Sequence, residues 1–389
     1  MIKIGIRNNL FYPLMLIIFT LFRKINSILM KKMFDFDGSL ILTLIMFLSE
    51  FLFGLFLFIR HIQFVSRKRY SKVIMGIKLI QALDEISHPD SNIKIYILIF
   101  LSTFFDFSEF ILITYYFPKE IGRKNISISV SLDIRLKCLT AFFLAFFCYF
   151  LLKYKILRHQ VFSLIIIFIC LIIIIILEYF VNDKNEGDII DFSFILLIIF
   201  LYNFFVSLND IIGKYLLEFN YVNPFKMLML EGIIGFILSV IYFLIINFEN
   251  PFEEFTELKD NSIYFLIIFL ILYFIFSGFK NIYRISTINL FSPMARTLTD
   301  TFIDPLYITY YYFFENDFKI KEKQKLYYFL SNLILSIIIV FCGFIYNEIF
   351  VFFCCNLERE TYNEVSNRAK ILDRVSDTSM DETKDNIDS

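Results

Sequence analysis

The stretch Met46-Phe-Leu-Ser-Glu50-Phe-Leu-Phe-Gly54 returns in the second half of the chain as Met227-Leu-Met-Leu-Glu231-Gly-Ile-Ile-Gly235, and both read Met-x3-Glu-x3-Gly. Each copy sits inside a long apolar run and carries one carboxylate into it. A charged side chain at the centre of a membrane helix costs about 2.5–3.5 kcal/mol on insertion scales. A sequence that places the same acid at the same point of two such segments is describing one structural unit used twice.

The surroundings support a membrane setting. Of 389 residues, 58% are hydrophobic, 20% aromatic and 19% charged, and mean hydropathy is +0.69. Soluble domains carry roughly 45–50% apolar residues and about 25% charged ones, so a soluble enzyme is excluded. A net charge of −1 with no dominant Lys/Arg block offers nothing for a phosphate backbone to bind, and nucleic acid is not an expected partner. A bilayer core about 30 Å thick needs roughly 20 apolar residues per helix. Ten spans meet or approach that length, at 9–30, 39–60, 95–117, 129–152, 160–180, 190–213, 224–247, 262–283, 293–314 and 325–349.

The first span runs into Arg23 and Lys24 without a cleavage site, so it reads as a retained anchor. The loop after span two carries Arg60, Arg67, Lys68, Arg69, Lys72, Lys78 and Lys94, and the turn after span four adds Lys153, Lys155 and Arg158. Lys/Arg bias sets orientation, so both termini are expected in the cytosol. Residues 356–389 hold five Lys/Arg and nine Asp/Glu among Ser, Thr and Asn; such a segment cannot bury enough surface to fold and is expected to be a disordered cytosolic tail. Cys138, Cys148, Cys170 and Cys342 lie in apolar segments and read as buried small side chains, while Cys354 and Cys355 end an apolar helix, a position suited to acylation.

The two halves keep a common order beyond the glutamate motif. Phe107-Ser108-Glu109-Phe110 in span three answers Phe276-Ser277-Gly278-Phe279 in span eight, and Asp133-Ile-Arg135 before span four answers Arg296 in span nine. Five spans per copy is odd, so copies with one fold insert in opposite senses about an axis in the membrane plane. The expectation is an all-α polytopic membrane protein: ten transmembrane helices as two inverted five-helix repeats, 1–181 and 182–355, followed by the tail.

Charges inside the spans are the candidate site. Glu50 lies midway along span two, Asp106 and Glu109 share one face of span three, and Glu231 lies in span seven. Arg135 and Lys137 enter span four, and Arg296, Asp300 and Asp304 form a stripe on span nine. Glu50 and Asp106 are placed to carry a coupling proton, and Arg135, Lys137 and Arg296 to clamp an anionic group, Arg matching phosphate geometry. Glu50, Asp106, Glu109, Arg135, Lys137, Glu231, Arg296 and Asp300 are thus the expected substrate-binding set. Asn8, Asn9, Asn203 and Asn209 in the two first spans can add neutral hydrogen bonds. Lys280, Arg284, Asp210, Lys214 and Glu218 read instead as ion pairs that hold the bundle, or as helix-end cations snorkelling to headgroups.

This pattern resembles the drug/metabolite transporter superfamily, ten-helix carriers of two five-helix repeats, and within it the solute carrier 35 branch that includes nucleotide-sugar transporters. The likeness rests on Met46-Phe-Leu-Ser-Glu50, the Asp106 helix, Ser131-Leu-Asp-Ile-Arg135-Leu-Lys137 with the short basic turn Leu157-Arg158-His159-Gln160, and the Arg296 to Pro305 opening of span nine. The resemblance implies alternating-access transport of a small polar metabolite, such as a nucleotide-sugar-like anion, by exchange or with a proton, in Golgi, ER or endolysosomal membranes. Glycine is scarcer and Phe commoner than in those carriers.

A membrane-embedded enzyme is not expected, because His61, His88 and His159 fall in anticipated loops and no Gly-x-Gly-Asp occurs; a channel or a scaffold is the alternative. The expected partners are a small-molecule substrate and the lipid bilayer, with self-association as a homodimer left open. No cofactor or metal is called for. The orientation has a direct test: an epitope inserted between residues 249 and 260 should be protected from antibody when only the plasma membrane is permeabilised, and labelling there would invert the topology.

Overall fold

Backbone polar groups within lipid must be satisfied inside their own segment, so apolar runs punctuated by Pro, Gly and charge fold as helices. The computed structural model describes residues 2–4, 11–34, 39–74, 93–112, 136–154, 156–183, 189–246, 260–314, 322–348 and 350–352. Along the chain these form β1 (Ile2–Ile4), α1 (Phe11–Phe34), α2 (Ser39–Ile74), α3 (Ile93–Ile111), α4 (Leu139–Phe150), α5 (Arg158–Asp183) and α6 (Ile189–Glu218). They continue with α7 (Pro224–Ile246), α8 (Asp260–Leu290), α9 (Pro293–Asp300), α10 (Asp304–Phe314), α11 (Glu322–Tyr346) and β2 (Phe350–Phe352). The tail at 356–389 lies outside the described residues, as do Cys354 and Cys355.

Among the described residues, seven helices are long and apolar enough to cross a bilayer: α1, α2, α5, α6, α7, α8 and α11. The protein therefore has the build of a polytopic membrane protein. Its outward face suits acyl chains: along α5, Ile165, Phe168, Ile169, Ile172, Ile176 and Phe180 are all exposed. Span two continues as helix well beyond residue 60, and the helix of span four is shorter than expected, a 3-10 turn at Leu136–Cys138 leading into α4. Two histidines expected in loops are helical. His61 lies on α2, and His159 is buried in the first turn of α5 with Nε2 3.5 Å from Glu348; the apolar runs beside them extend the helices past the charged residues that were read as ends. His88 lies outside the described residues.

Span nine is broken where Pro305 dictates. Proline has no N–H to give and its ring crowds the carbonyl four residues back, so α9 gives way to a 3-10 turn at Thr301–Ile303 before α10 resumes. The start of α9 is fixed as firmly: Pro293 occupies its first turn and the Ser292 hydroxyl accepts from the Ala295 amide at 3.0 Å, satisfying one of the orphan donors of the helix start. All eight residues of α9 are buried.

The closest helix pair is α2 with α7, the two carriers of the repeated motif. Other neighbours are α1 with α8, α3 with α6, α2 with α8, α3 with α7, α4 with α6, and α5 with α11. Glycine sets the α2–α7 approach. A Cβ on Gly54 would lie 2.6 Å from the Met229 amide nitrogen, and one on Gly232 would lie 2.2 Å from that of Phe51. Gly235 is capped by the Phe47 ring, with 2.2 Å left for a Cβ. Gly54 and Gly232 thus stand where two backbones meet. Antiparallel pairing of β1 with β2 brings Ile2 opposite Phe352 and joins the two ends of the helical body.

Gly232→Ala should lower the thermal midpoint of the purified protein by the equivalent of about 1–3 kcal/mol, the usual cost of overpacking. Gly343→Ala, whose Cβ would meet Leu298 at an ordinary 3.4 Å, should be tolerated. Equal midpoints for the two variants would contradict the close crossing.

Candidate functional site

The α2–α7 crossing delivers two carboxylates to one place. Glu50 and Glu231, at the matching position of each motif, both face Arg284 of α8: Glu50 Oε1 accepts from Nη2 at 3.2 Å, and Glu231 Oε2 lies 3.6 Å from the same nitrogen. Asp106 of α3 approaches from the other side, its Oδ1 3.6 Å from Nη1. All four residues are buried, Glu50 completely. One guanidinium is therefore shared by three carboxylates from three helices. The Ser102 hydroxyl, one turn before Asp106, lies 2.9 Å from Glu231 Oε1 and 2.6 Å from Asn209 Oδ1, tying α3 to both α6 and α7.

A second cluster sits beside the first. Arg296 of α9 donates to Asp210 of α6 at 2.7 Å, and its Nη2 lies 3.6 Å from Asp300 one turn along. Asp300 also accepts from Lys137 at 2.9 Å, so the 3-10 turn that opens α4 is pinned to the end of α9. The two clusters adjoin where Asp210 and Arg284 line one cavity, and together they draw on α2, α3, α6, α7, α8, α9 and the 3-10 turn before α4. Thr140 donates to Asn203 at 2.6 Å, supplying one of the neutral links expected of span six.

Between α6, α7 and α8 lies a cavity of about 10 Å³, walled by Asn209, Asp210, Glu231 and Arg284 at its polar side and by Leu217 and Ile288. That is room for about one water molecule and not for a metabolite. Asp210 Oδ1, Glu231 Oε2 and Arg284 Nε have no hydrogen-bond partner among the described residues. Toward the α4–α5 turn lies a polar knot. Lys214 reaches the carbonyls of Ile288 and Asn289 at 3.2 and 3.4 Å, at the carboxyl end of α8, and pairs with Glu218 at 3.2 Å. A cation there complements the free carbonyls of a helix end. Glu218 in turn accepts from the Tyr154 phenol; burial and that acceptor hold the Tyr154 hydroxyl above its ordinary pKa.

Of the expected set, Glu50, Asp106, Lys137, Glu231, Arg296 and Asp300 fall in these two clusters; Glu109 makes no ion pair among the described residues, its Oε2 buried and unbonded, and Arg135, Asn8 and Asn9 lie outside the described residues. Two members were missed. Arg284 and Asp210 read as helix-end or bundle-holding residues, yet Arg284 is the hub. The apolar run continues past it through Ile285 and Ile288 to Leu290, and that continuation was the signal that α8 does not end there. Lys137 and Arg296, cast as an anion clamp, are already neutralised by Asp300 and Asp210. Among the described residues no group of His, Cys, Asp and Glu has the geometry to hold a metal ion.

No protein-family model matches the chain, and no curated protein matches it.

Removing one partner of a buried ionic group leaves the others unpaired at a cost of about 3–5 kcal/mol. Arg284→Leu should therefore depress the thermal midpoint sharply, and adding Glu50→Gln and Asp106→Asn should restore most of the loss. Failure of the triple variant to recover would show that Arg284 does not hold these acids in place.

Proposed function

We propose that this protein is a multi-pass membrane transporter that moves a small polar organic metabolite by alternating access between two inverted five-helix repeats. The observation that carries the reading is the convergence of Glu50 and Glu231, the matched acids of the duplicated motif, on one buried arginine.

The pattern of neighbours supports the duplication. Exchanging each span with the one five places along turns the α1–α8 pair into α6–α3, α2–α8 into α7–α3, and α4–α6 into α9–α1, all of which are packed pairs. The α2–α7, α5–α11 and α4–α9 pairs map onto themselves and are also packed. The crossing repeats at residue level: Gly54 lies on Leu228 and Met229, and its counterpart Gly235 lies on Phe47, the counterpart of Leu228. With α3, α4 and the broken α9–α10 span added to the seven long helices, the body has ten crossings, and the pairing of β1 with β2 suits an even number.

Two halves related in this way can open a shared site to one side and then the other. The small cavity, its orphan polar atoms and the Lys214–Glu218–Tyr154 knot describe a closed arrangement in which the network neutralises itself. Opening exchanges internal ion pairs for contacts with substrate, so the acids and Arg284 take part in both states.

Purified protein in liposomes loaded with a mixed metabolite extract should take up a labelled member of that pool faster than empty liposomes, with saturation. Glu50→Gln or Asp106→Asn should abolish the acceleration while protein yield is retained. Linear, unsaturated flux would indicate a channel, and no flux with any label a scaffold.

A further inference from the structure

Arg284, Arg296, Lys137 and Lys214 each have a carboxylate within 4 Å, whereas the partly buried Lys280 and Arg23 have none among the described residues. Lys280 of α8 has no hydrogen bond or ion pair among the described residues. Arg23 of α1 has only the Met46 sulfur, 3.4 Å from Nη1, and the Tyr273 ring face 6.0 Å away. A thioether is a weak acceptor, and a ring at that distance is at the limit of a cation–π contact. Both residues are partly screened from solvent, and the charge acting most strongly on Lys280 is Arg23 itself. The acid acting on it, Asp300, is already engaged by Lys137 and Arg296. Two like charges therefore face one another in a medium where repulsion is weakly screened.

The helices fix their spacing. Phe19 stacks on Phe279 at 4.9 Å, Phe22 meets Phe276 at 5.4 Å, and Asn26 donates to the Phe269 carbonyl at 2.7 Å. This antiparallel register sets Arg23 level with Tyr273 to Phe276, and Lys280 one to two turns further along α8, about 5–11 Å at 5.4 Å per turn. The groups between them are hydrogen-bond donors without partners. Thr20 Oγ1, one turn from Arg23, Ser277 Oγ, one turn from Lys280, and Asn281 Nδ2 are all buried and unbonded among the described residues. Buried polar groups are normally bonded, so three together beside two uncompensated cations are waiting for acceptors.

We propose that the space between Arg23 and Lys280, floored by Thr20, Ser277 and Asn281, is an oxyanion subsite that takes a phosphoryl group. Two cations and three neutral donors on these neighbouring turns exceed what the two oxygens of a carboxylate can use and suit a tetrahedral anion, with Arg23 supplying paired donors and Lys280 a point charge. The proposal rests on the transporter reading only in its role: the subsite holds the anionic end of the substrate, one to two helical turns from the Arg284 network, which meets the remainder. The anion clamp expected at Lys137 and Arg296 is thereby moved to α1 and α8.

Binding of inorganic phosphate to the purified full-length protein tests this without any need for flux. At constant ionic strength, phosphate should raise the thermal midpoint saturably by about 2 °C or more, and acetate should not. Lys280→Met and Arg23→Met should each weaken the phosphate response at least tenfold, and Lys280→Arg should keep it. Lys280→Met should also raise the midpoint of the unliganded protein, because it removes a buried repulsion; a fall there would mark Lys280 as structural and overturn the proposal. So would a phosphate response that survives Lys280→Met, an equal response to acetate, or none at all. Phosphate binding without counterflow would sink the carrier reading and leave the subsite standing, and counterflow without phosphate binding would do the reverse.

Discussion

A guanidinium held away from water at the junction of four helices is the constraint on which this molecule turns. Arg284 cannot lose its charge at any accessible pH, and an unpaired charge in the interior costs several kcal/mol. The helices around it must therefore supply acids, and they do so from three directions through Glu50, Asp106 and Glu231. Two of these acids reach it only because α2 and α7 cross at backbone contact, which in turn requires the missing side chains of Gly54 and Gly232. The glycines and the ionic hub are parts of one device: fill the crossing and the acids withdraw, remove the arginine and the acids repel.

α8 runs through the whole arrangement as a spine. Its aromatic face stacks on α1 through Phe276, Phe279 and Tyr283, its inner face presents Ser277, Lys280, Asn281 and Arg284, and its last carbonyls are held by Lys214 from α6. One helix thus touches the acid cluster, Lys280 and the Lys214 contacts at its carboxyl end, and a shift of α8 along its axis would alter all three together.

How much of this was visible in the chain follows from which physical signal each part leaves. Apolar length is written in the sequence, so the seven long apolar helices were legible among the expected spans, and the matched Met-x3-Glu-x3-Gly segments marked the α2–α7 crossing. Partnership is not written there. Arg284 and Lys280 are four residues apart on one helix with similar flanks, yet one is surrounded by acids and the other faces a second cation; only the packing of α1, α2, α3 and α7 around α8 separates them. Arg296 shows the same limit. Its spacing to Asp300 was legible, but its tighter bond to Asp210, far away in the chain, depends on how α6 meets α9. Helix ends were misjudged where a polar side chain was taken as a boundary, as at Arg284 and His159, because a polar side chain packed inside the bundle does not end a helix.

The short helix α9 has a consequence for how the protein is made. Its eight residues include Arg296 and Asp300 and little that is strongly apolar, and Asp304 follows at once. On insertion scales each of those charges opposes entry into the bilayer by about 2.5–3.5 kcal/mol, so the segment gains nothing by leaving the translocation channel alone. The groups that neutralise it, Lys137 at α4 and Asp210 on α6, are synthesised earlier. During biogenesis the ninth segment is therefore recruited by a bundle that is already in place, and the ribosome's order of delivery, acids and lysine first and arginine afterwards, becomes part of the folding instruction.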